Sequence, residues 1–306
     1  MTTLVFGHKS PDTDSTGSPI AWAWYLNEVV GTAAAPALLG EPNTEAAWML
    51  EKWDLPRPQI IDDVEPLQPC VIVDTNNPLE LPASINQADL RGIIDHHKLV
   101  GGLETAGPID ITIRPLACTA TIMADLMGQS LSSAPEAIKG AMLTCILSDT
   151  LAFRSPTTTD HDRALAERLA SELGIDIASY ASEMFAAKSD VSAFSEAELL
   201  RMDSKEYAID GTKFRVSVLE TTSPDTVLSR KAALMEAMPA VAAEDGVEQV
   251  LLFVVDILAG EATMLIPNDL TRTVAEKSFG ATVRGDSVVL PGVMSRKKQI
   301  IPSLKM

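Results

Sequence analysis

Residues 3–15 read Thr-Leu-Val-Phe-Gly-His-Lys-Ser-Pro-Asp-Thr-Asp-Ser, so a short apolar run passes directly into a loop rich in ionisable side chains. Three later segments repeat this plan. In chain order, these are residues 70–73 before Asp74, residues 92–94 before Asp95-His96-His97, and residues 141–147 before Ser148-Asp149. Ligands of open parallel sheets gather beyond the carboxyl ends of the strands. We therefore expect the four motifs to converge on one crevice.

Apolar runs and helical patterns alternate through the first half of the chain. Short, continuously apolar strands alternating with helices are typical of a parallel sheet covered on both faces. A capping-box spacing at residues 159–162 opens a further helix that Gly174 can close. Strands are predicted at residues 3–6, 70–73, 91–94 and 109–113, and helices at residues 15–29, 43–53, 119–127 and 135–147.

The sequence changes character at a polar, small-residue stretch, residues 186–195. Beyond it, Asp210-Gly211 separates two apolar runs and predicts a hairpin turn. Further strands are predicted at residues 247–257, 262–266 and 282–290, and helices at residues 224–238 and 270–279. We therefore predict an α/β protein with an N-terminal domain (residues 1–188) whose parallel sheet is flanked by helices. A linker (residues 189–195) leads to a smaller C-terminal α/β domain (residues 196–306) with a mixed sheet.

Composition excludes several classes of function. The chain has 306 residues, of which 24 are Lys or Arg and 42 are Asp or Glu, for a net charge of −18. Duplex nucleic acids and anionic membranes bind to clustered positive charge, which this acidic chain lacks, so we expect neither as a partner. The three cysteines are sparse and form no ligand spacing or disulfide framework. With no signal-peptide core near Met1 and no long apolar run, we expect a cytoplasmic protein.

The polar motifs of the first half contribute two imidazoles and four carboxylates, without a thiolate. Clustered carboxylates repel one another unless a cation lies among them. Oxygen ligands mixed with imidazole suit manganese, cobalt, iron or zinc better than magnesium alone. Six ligands exceed the needs of one open catalytic ion and predict two ions that share a bridging carboxylate. The six residues are His8, Asp12, Asp14, Asp74, His96 and Asp149.

Each motif taken alone has a plainer interpretation. Asp14 at a helix start is equally explained as a capping carboxylate, and Asp74 could simply begin a turn. His161 lies in a capped helix start, where a solvated face explains it. Three adjacent ionisable groups at Asp95-His96-His97, by contrast, would make a poor core. The occurrence of all four motifs in one chain favours a site.

Five segments of the chain resemble the motifs of the family II inorganic pyrophosphatases, which belong to the DHH phosphoesterase superfamily. In chain order, these segments are GHKSPDTDS, VDTNN, IIDHHK, SDT and, at residues 295–299, SRKKQ. The resemblance covers essentially the whole chain. It implies that pyrophosphate is hydrolysed to two phosphates by a metal-bridged hydroxide, in a cleft between the two domains. It further implies two Mn²⁺ ions per subunit (or Co²⁺), Mg²⁺ arriving with the substrate, and a homodimer.

The resemblance also implies roles for individual residues. The six residues named above match metal ligands, with Asp74 and Asp149 bridging the two ions. His97 matches a catalytic, substrate-contacting histidine that donates a proton to the leaving phosphate. Lys205, Arg296 and Lys297 match a C-terminal phosphate clamp.

One departure and several alternatives stand beside this interpretation. Thr75-Asn76-Asn77 replaces the usual His-Asn-Glu of the family, which puts in doubt the hydrogen bonds that support the metals. The basic run at residues 296–298 could be a solvated C-terminal face. The chain could instead be a related enzyme that cleaves short oligonucleotides or polyphosphate. Such relatives carry a histidine-containing motif in the C-terminal domain, whereas no histidine follows His161 here. Aromatic residues, on which bases would stack, make up only 5% of the chain. A metal-binding regulatory module without catalysis is a further alternative, but such a module would not need a phosphate clamp.

Overall fold

The computed structural model describes residues 1–306 and divides the chain into two compact units, Met1–Lys188 and Ser189–Met306. The division falls inside the polar stretch at residues 186–195. The assignment of residues 189–195 as a linker stays a prediction.

The first unit is built on a six-stranded sheet in which every neighbouring pair of strands is parallel. The strand order is β3-β2-β1-β4-β5-β6, so β1, β4 and β5 lie side by side in the middle of the sheet. The strands are β1 Thr3–Phe6, β2 Ala34–Leu38, β3 Gln59–Ile60, β4 Pro69–Val73, β5 Asp89–Asp95 and β6 Asp110–Ile113.

Six α-helices accompany this sheet. They are α1 Thr13–Tyr25, α2 Thr44–Lys52, α3 Thr119–Met127, α4 Glu136–Asp149, α5 Asp160–Leu173 and α6 Ile177–Lys188. Helices α1 and α3 pack against the strands, and α4 packs along α1. On one face of the sheet, Phe6, Ile72 and Leu90 join Leu81 and Ile85 in a buried cluster.

The start of α1 differs from the prediction of a helix at residues 15–29. The helix begins at Thr13, because the Asp12 side chain caps it by accepting a hydrogen bond from the Ser15 amide at 3.0 Å. The α-helix ends at Tyr25, and the chain then forms a single π-helical turn, Leu26–Val30. Asp14 therefore lies inside the first helical turn and is not the cap.

Strands β2 and β3 were absent from the sequence-based prediction. The β2 segment reads Ala-Ala-Pro-Ala-Leu, whose small residues and proline carry no strand signal, and β3 has only two residues. Both form because β1 offers a parallel edge to β2, and β2 in turn offers one to β3.

The second unit has a mixed five-stranded sheet in the order β11-β10-β9-β8-β7, where β8 and β9 are parallel and the other pairs are antiparallel. Its strands are β7 Ser204–Ile209, β8 Thr212–Thr221, β9 Gln249–Asp256, β10 Glu261–Leu265 and β11 Ser287–Pro291. Its helices are α7 Glu196–Met202, α8 Asp225–Leu228, α9 Lys231–Asp245, α10 Asp269–Phe279 and the short α11 Ile301–Ser303.

The structure confirms the α/β class, with a parallel sheet flanked by helices followed by a mixed sheet. The Asp210-Gly211 turn joins β7 to β8 with positive φ angles of 48° and 86°, as a tight hairpin turn requires. Two predictions were wrong in extent: the helix at residues 224–238 is the pair α8 and α9, and the strand at residues 282–290 is only β11. No helix has both the length and the apolar character needed to cross a membrane.

Candidate metal centre

Three adjacent strands carry candidate ligands at their carboxyl ends. His8 follows β1 by two residues, Asp74 comes directly after β4, and His96 comes directly after β5. Because β1, β4 and β5 are parallel neighbours, their carboxyl ends meet at one edge of the sheet. The folding of the sheet therefore brings together residues that are far apart in the sequence.

Two helices complete the set of candidate ligands. Asp12 and Asp14 lie at the N-terminus of α1, and Asp149 is the last residue of α4, which packs along α1. All six predicted metal ligands come together in overlapping groups whose ligand atoms lie within 4.8 Å of one another. The groups are His8, Asp12 and Asp74; Asp14, His96 and Asp149; and Asp74, His96 and His97.

Asp74 stands at the centre of this arrangement. Its Oδ2 lies 3.5 Å from His8 Nε2, while its Oδ1 lies 3.3 Å from His96 Nε2. The two oxygens of one buried carboxylate thus face two different groups of donors. Asp74 also has a φ of 59°, a left-handed conformation that is found at functional sites more often than elsewhere.

Two hydroxyl groups hold the Asp74 carboxylate in place. Ser15 Oγ donates to Oδ2 at 2.5 Å, and Thr119 Oγ1 donates to Oδ1 at 3.3 Å. The same helix start that carries Thr119 fixes Asp14, because the Thr119 amide donates to Asp14 Oδ2 at 2.8 Å. These contacts orient both carboxylates before any ion binds.

The adjacent residues His96 and His97 have different partners. His96 Nδ1 lies 3.2 Å from the Leu116 carbonyl oxygen and donates to it, while Nε2 faces Asp74. His97 Nδ1 lies 2.9 Å from Asp95 Oδ1 and donates to it, which leaves Nε2 free for another partner. The two histidines thus differ in the partner of Nδ1, although both lie in one group of possible metal ligands with Asp74.

Burial and crowding perturb the carboxylates strongly. Burial raises the pKa of Asp74 well above its ordinary value, and the negative charge of Asp14 raises it further. The same two causes, in the same order, raise the pKa of Asp149. Asp149 Oδ2 is buried without a hydrogen-bond partner, which is rare for a side-chain oxygen.

The histidines respond to the carboxylates around them. The hydrogen bond from His97 to Asp95 raises the pKa of the His97 imidazole, although burial opposes the shift. Burial also opposes the charged form of His8, but the nearby carboxylates of Asp12 and Asp74 raise its pKa overall. Neighbouring carboxylates therefore favour the protonated form of both imidazoles.

These residues fit a divalent transition metal. Four crowded carboxylates, one of which has a buried oxygen without a hydrogen-bond partner, and two imidazoles together make a donor set that is electrostatically unfavourable without a cation. Mixed imidazole and carboxylate ligands suit manganese and cobalt. The Asp74 oxygens, which face different groups, allow this residue to be shared between two ions.

Open space lies beside the donors. A cavity of about 590 Å³ is lined by Asp12, Asp74, His96 and Asp149 among others, and one of about 570 Å³ by His8, Lys9, His97 and Lys98 among others. A larger cavity, about 780 Å³, lies between α1 and the β6 edge, around Trp22, Tyr25 and Ile111. It contains none of the clustered donors, so size alone does not locate the chemistry.

In the second unit, the predicted clamp residues occupy two segments. Lys205 is exposed on β7, and Lys297 is exposed in a π-helical turn, Arg296–Ile300. Arg296 donates to the Asp203 carbonyl oxygen at 2.8 Å and forms an ion pair with Asp203 Oδ1 at 2.7 Å. Arg296 therefore lies beside the start of the strand that carries Lys205.

The sequence analysis missed several supporting residues. Asn76 donates to Asp95 Oδ2 at 2.5 Å, so the altered Thr75-Asn76-Asn77 motif still supports the Asp95–His97 pair. Thr75 instead donates to Glu80 at 2.6 Å and does not touch Asp74. Glu45 is buried between two ligand-bearing segments. Its position in the first turn of α2 predicts only a favourable charge at a helix N-terminus.

Family models match both parts of the chain. Residues 2–150 match the DHH family N-terminal domain, and residues 182–306 match the DHHA2 domain. A protein of Lactobacillus helveticus named as a manganese-dependent inorganic pyrophosphatase is 35% identical over 303 residues, covering 98% of this chain and 97% of that protein. A protein of the same name from Deinococcus radiodurans is 38% identical over 307 residues, with the same coverage.

Solved structures extend the likeness to three dimensions. A crystal structure of a Methanococcus jannaschii protein assigned to the family II inorganic pyrophosphatases has a TM-score of 0.61 and 31% identity, and covers 99% of this chain and 98% of that one. An exopolyphosphatase-related protein of Bacteroides fragilis, with a TM-score of 0.51 and 14% identity, shares the fold alone, over 98% of this chain and 89% of its own. With full-length relatives above 30% identity, the chain belongs to the manganese-dependent, family II inorganic pyrophosphatases.

Proposed function

We propose that the protein hydrolyses inorganic pyrophosphate to two phosphates with manganese, or cobalt, as its resident metal. One observation carries the proposal: the two oxygens of Asp74 face separate groups of donors, His8 on one side and His96 on the other. A phosphoanhydride bears high negative charge, so a centre of two cations is suited to bind and activate it.

The donor groups indicate which residues would hold each ion. His8, Asp12 and Asp74 would hold one ion, and Asp14, His96 and Asp149 would hold the other, with Asp74 shared. Asp149 is proposed as a second shared ligand. When bound, the two ions supply positive charge that acidifies a water molecule and neutralises phosphate oxygens.

His97 is proposed as the residue that protonates the leaving phosphate. Its Nδ1 donates to Asp95, so Nε2 is the atom that can carry a proton to the substrate. The raised pKa of His97 keeps the imidazole protonated closer to neutral pH, which suits a general acid. Asp95 is buried and itself fixed by Asn76, so the ring orientation is maintained.

We propose that the two domains supply different parts of the site. The N-terminal domain (residues 1–188) would supply the metal ligands, and the C-terminal domain (residues 196–306, after the linker at residues 189–195) would supply the phosphate clamp. Arg296 can bind two phosphate oxygens at once, and Lys205 and Lys297 add point charges. Mg²⁺ accompanying the substrate would neutralise further oxygens. The protein carries a net charge of −18, so a polyanion needs these local cations.

We also propose that the protein is a cytoplasmic homodimer that binds neither nucleic acid nor membranes. The acidic composition and the scarcity of aromatic residues support the absence of a nucleic-acid partner. The homodimer rests on the family resemblance.

The test is phosphate release by metal-free protein reconstituted with Mn²⁺, Co²⁺ or Mg²⁺ alone. Pyrophosphate, tripolyphosphate, a short RNA and a phosphomonoester are assayed side by side. We expect pyrophosphate to be hydrolysed fastest, and Mn²⁺ or Co²⁺ to support higher turnover than Mg²⁺. Faster turnover of RNA or of the longer polyphosphate would refute the proposed substrate.

A further inference from the structure

Glu45 lies outside the donor set but contacts its backbone segments. Its side chain is completely buried, and its Oε1 accepts a hydrogen bond from Thr13 Oγ1 at 2.5 Å and another, short one from Ser148 Oγ. Thr13 lies between the ligands Asp12 and Asp14, and Ser148 directly precedes Asp149. One carboxylate oxygen is therefore shared by the start of α1 and the end of α4.

The second oxygen of Glu45 depends on a single cation. Oε2 accepts no hydrogen bond, and its partner is Lys188 Nζ at 3.3 Å. Lys188 ends α6, and Thr44 Oγ1 donates to its carbonyl oxygen at 3.4 Å. A carboxylate buried as deeply as Glu45 is costly unless it is paired, so the ion pair with Lys188 helps to hold this side chain in place.

We propose that Glu45 is a positioning residue that sets the spacing of the ligands on α1 and α4, and that Lys188 holds it in that role. The inference rests on the proposed function, since it concerns the metals of that site. The reason is geometric: a displacement of either helix end would lengthen one of the two hydrogen bonds to Oε1. Because Lys188 is the last residue of the first unit, the same pair ties the ligands to the point where the chain leaves that unit.

The proposal predicts that two residues without direct metal contact control metal affinity. Glu45→Gln keeps the shape but removes the charge, and Lys188→Met removes the cation. Loss of a group that orients metal ligands typically weakens metal binding by on the order of 10- to 100-fold. We expect a loss of this size for Glu45→Gln, a smaller loss for Lys188→Met, and near wild-type affinity for Lys188→Arg.

The chain offers a matched control between the same two helices. Lys52 on α2 and Glu183 on α6 form an ion pair at 2.8 Å, but their side chains are 40% and 56% exposed. Lys52→Met and Glu183→Gln remove the same charges without touching a ligand-bearing segment. Both should leave manganese affinity unchanged.

The experiment titrates metal-free protein with Mn²⁺ by calorimetry and follows free Mn²⁺ by electron paramagnetic resonance. Steady-state kinetics on pyrophosphate at saturating Mn²⁺ accompany it, and we expect kcat to fall in Glu45→Gln while KM changes little. The double variant Glu45→Gln with Lys188→Met should bind no more weakly than Glu45→Gln alone, because the two residues act as one unit.

The outcomes separate this inference from the proposed function. Wild-type dissociation constants in a folded Glu45→Gln protein, or equal effects of Lys188→Met and Lys52→Met, would overturn it. Should Glu45→Gln fail to fold, the comparison of Lys188→Met with Lys188→Arg and Lys52→Met decides the matter. A wild type that binds Mn²⁺ but releases no phosphate would refute the proposed activity, and the dissociation constants would still decide the role of Glu45.

Discussion

Asp149→Asn should make the metal-free protein more stable and should reduce the stabilisation that the protein gains from manganese. The ligand atoms of Asp14 and Asp149 lie within 4.8 Å of each other, and Asp149 Oδ2 is buried without a partner. Two unit charges at that distance repel by about 3.5 kcal/mol at an effective dielectric constant of about 20. Replacing one carboxylate by an amide of the same shape removes this repulsion.

The expected gain depends on pH. Burial and the charge of Asp14 raise the pKa of Asp149, so between its ordinary value and the raised one the native state binds more protons than the unfolded state. Stability of the metal-free wild type therefore falls as the pH rises through this range. Protonation relieves part of the repulsion at lower pH, so the advantage of Asp149→Asn should widen toward alkaline pH. At about 2–4 °C per kcal/mol for a unit of this size, we expect a rise in Tm on the order of 10 °C at pH 8.

Manganese should narrow this advantage, from about 3.5 to about 1.2 kcal/mol. At a concentration of about 100 times Kd, binding stabilises the wild type by about 2.7 kcal/mol, whereas a roughly 100-fold weaker site would gain only about 0.4 kcal/mol. The assay is thermal unfolding of chelator-treated protein from pH 5 to 8.5, with and without Mn²⁺. The exposed Asp62→Asn serves as the control for loss of one negative charge. Metal-free Asp149→Asn with the Tm of the wild type at every pH, or with an equal gain from Mn²⁺, would show that the repulsion argument is wrong.

Three further predictions concern other parts of the protein. Asp74→Asn should lower the manganese content at both groups of donors, because its oxygens face both; elemental analysis showing a full complement would contradict the shared-ligand assignment. Arg296→Ala should lower turnover by roughly 100- to 1000-fold, about 2.7–4 kcal/mol, while metal content stays at the wild-type level; loss of metal instead would exclude a clamp role. Gly140→Ala should destabilise the fold by about 1–3 kcal/mol in chemical denaturation, because the added Cβ would lie 2.1 Å from Trp53 Cε2; unchanged stability would mean that the indole moves aside at no cost.

The local sequence was sufficient for the architecture where its signals are strong. Strands β1, β4 and β5 are apolar runs that end in ionisable residues, and they were predicted for that reason. Strand β2 was not, because its Ala-Ala-Pro-Ala-Leu segment becomes a strand only when the edge of β1 is available to it. The hairpin turn at Asp210-Gly211 was predictable because its positive φ angles impose a choice of residues at two adjacent positions.

The donor set was likewise readable from the sequence, because metal chemistry restricts which residue types can serve as ligands. Residue type alone does not distinguish His96 from His97, which are adjacent and identical in kind, and their separate roles were assigned only by the family resemblance. Only the fold directs one Nδ1 to the Leu116 carbonyl oxygen and the other to Asp95. Nor could the sequence show that the two oxygens of Asp74 face different groups of donors, since only the fold brings His8 and His96 to either side of it.

Glu45 shows most clearly which contacts the sequence alone could not predict. In the sequence it is an acidic residue in the first turn of a helix, 32 positions from Thr13 and 103 from Ser148. Motifs and periodicity report which residue types stand near one another along the chain, and they determined the α/β class and the ligand types. Which hydroxyl donates to which buried carboxylate depends on how helices from distant parts of the chain pack, because a hydrogen bond is formed over about 3 Å of space. That choice was made by the tertiary structure alone.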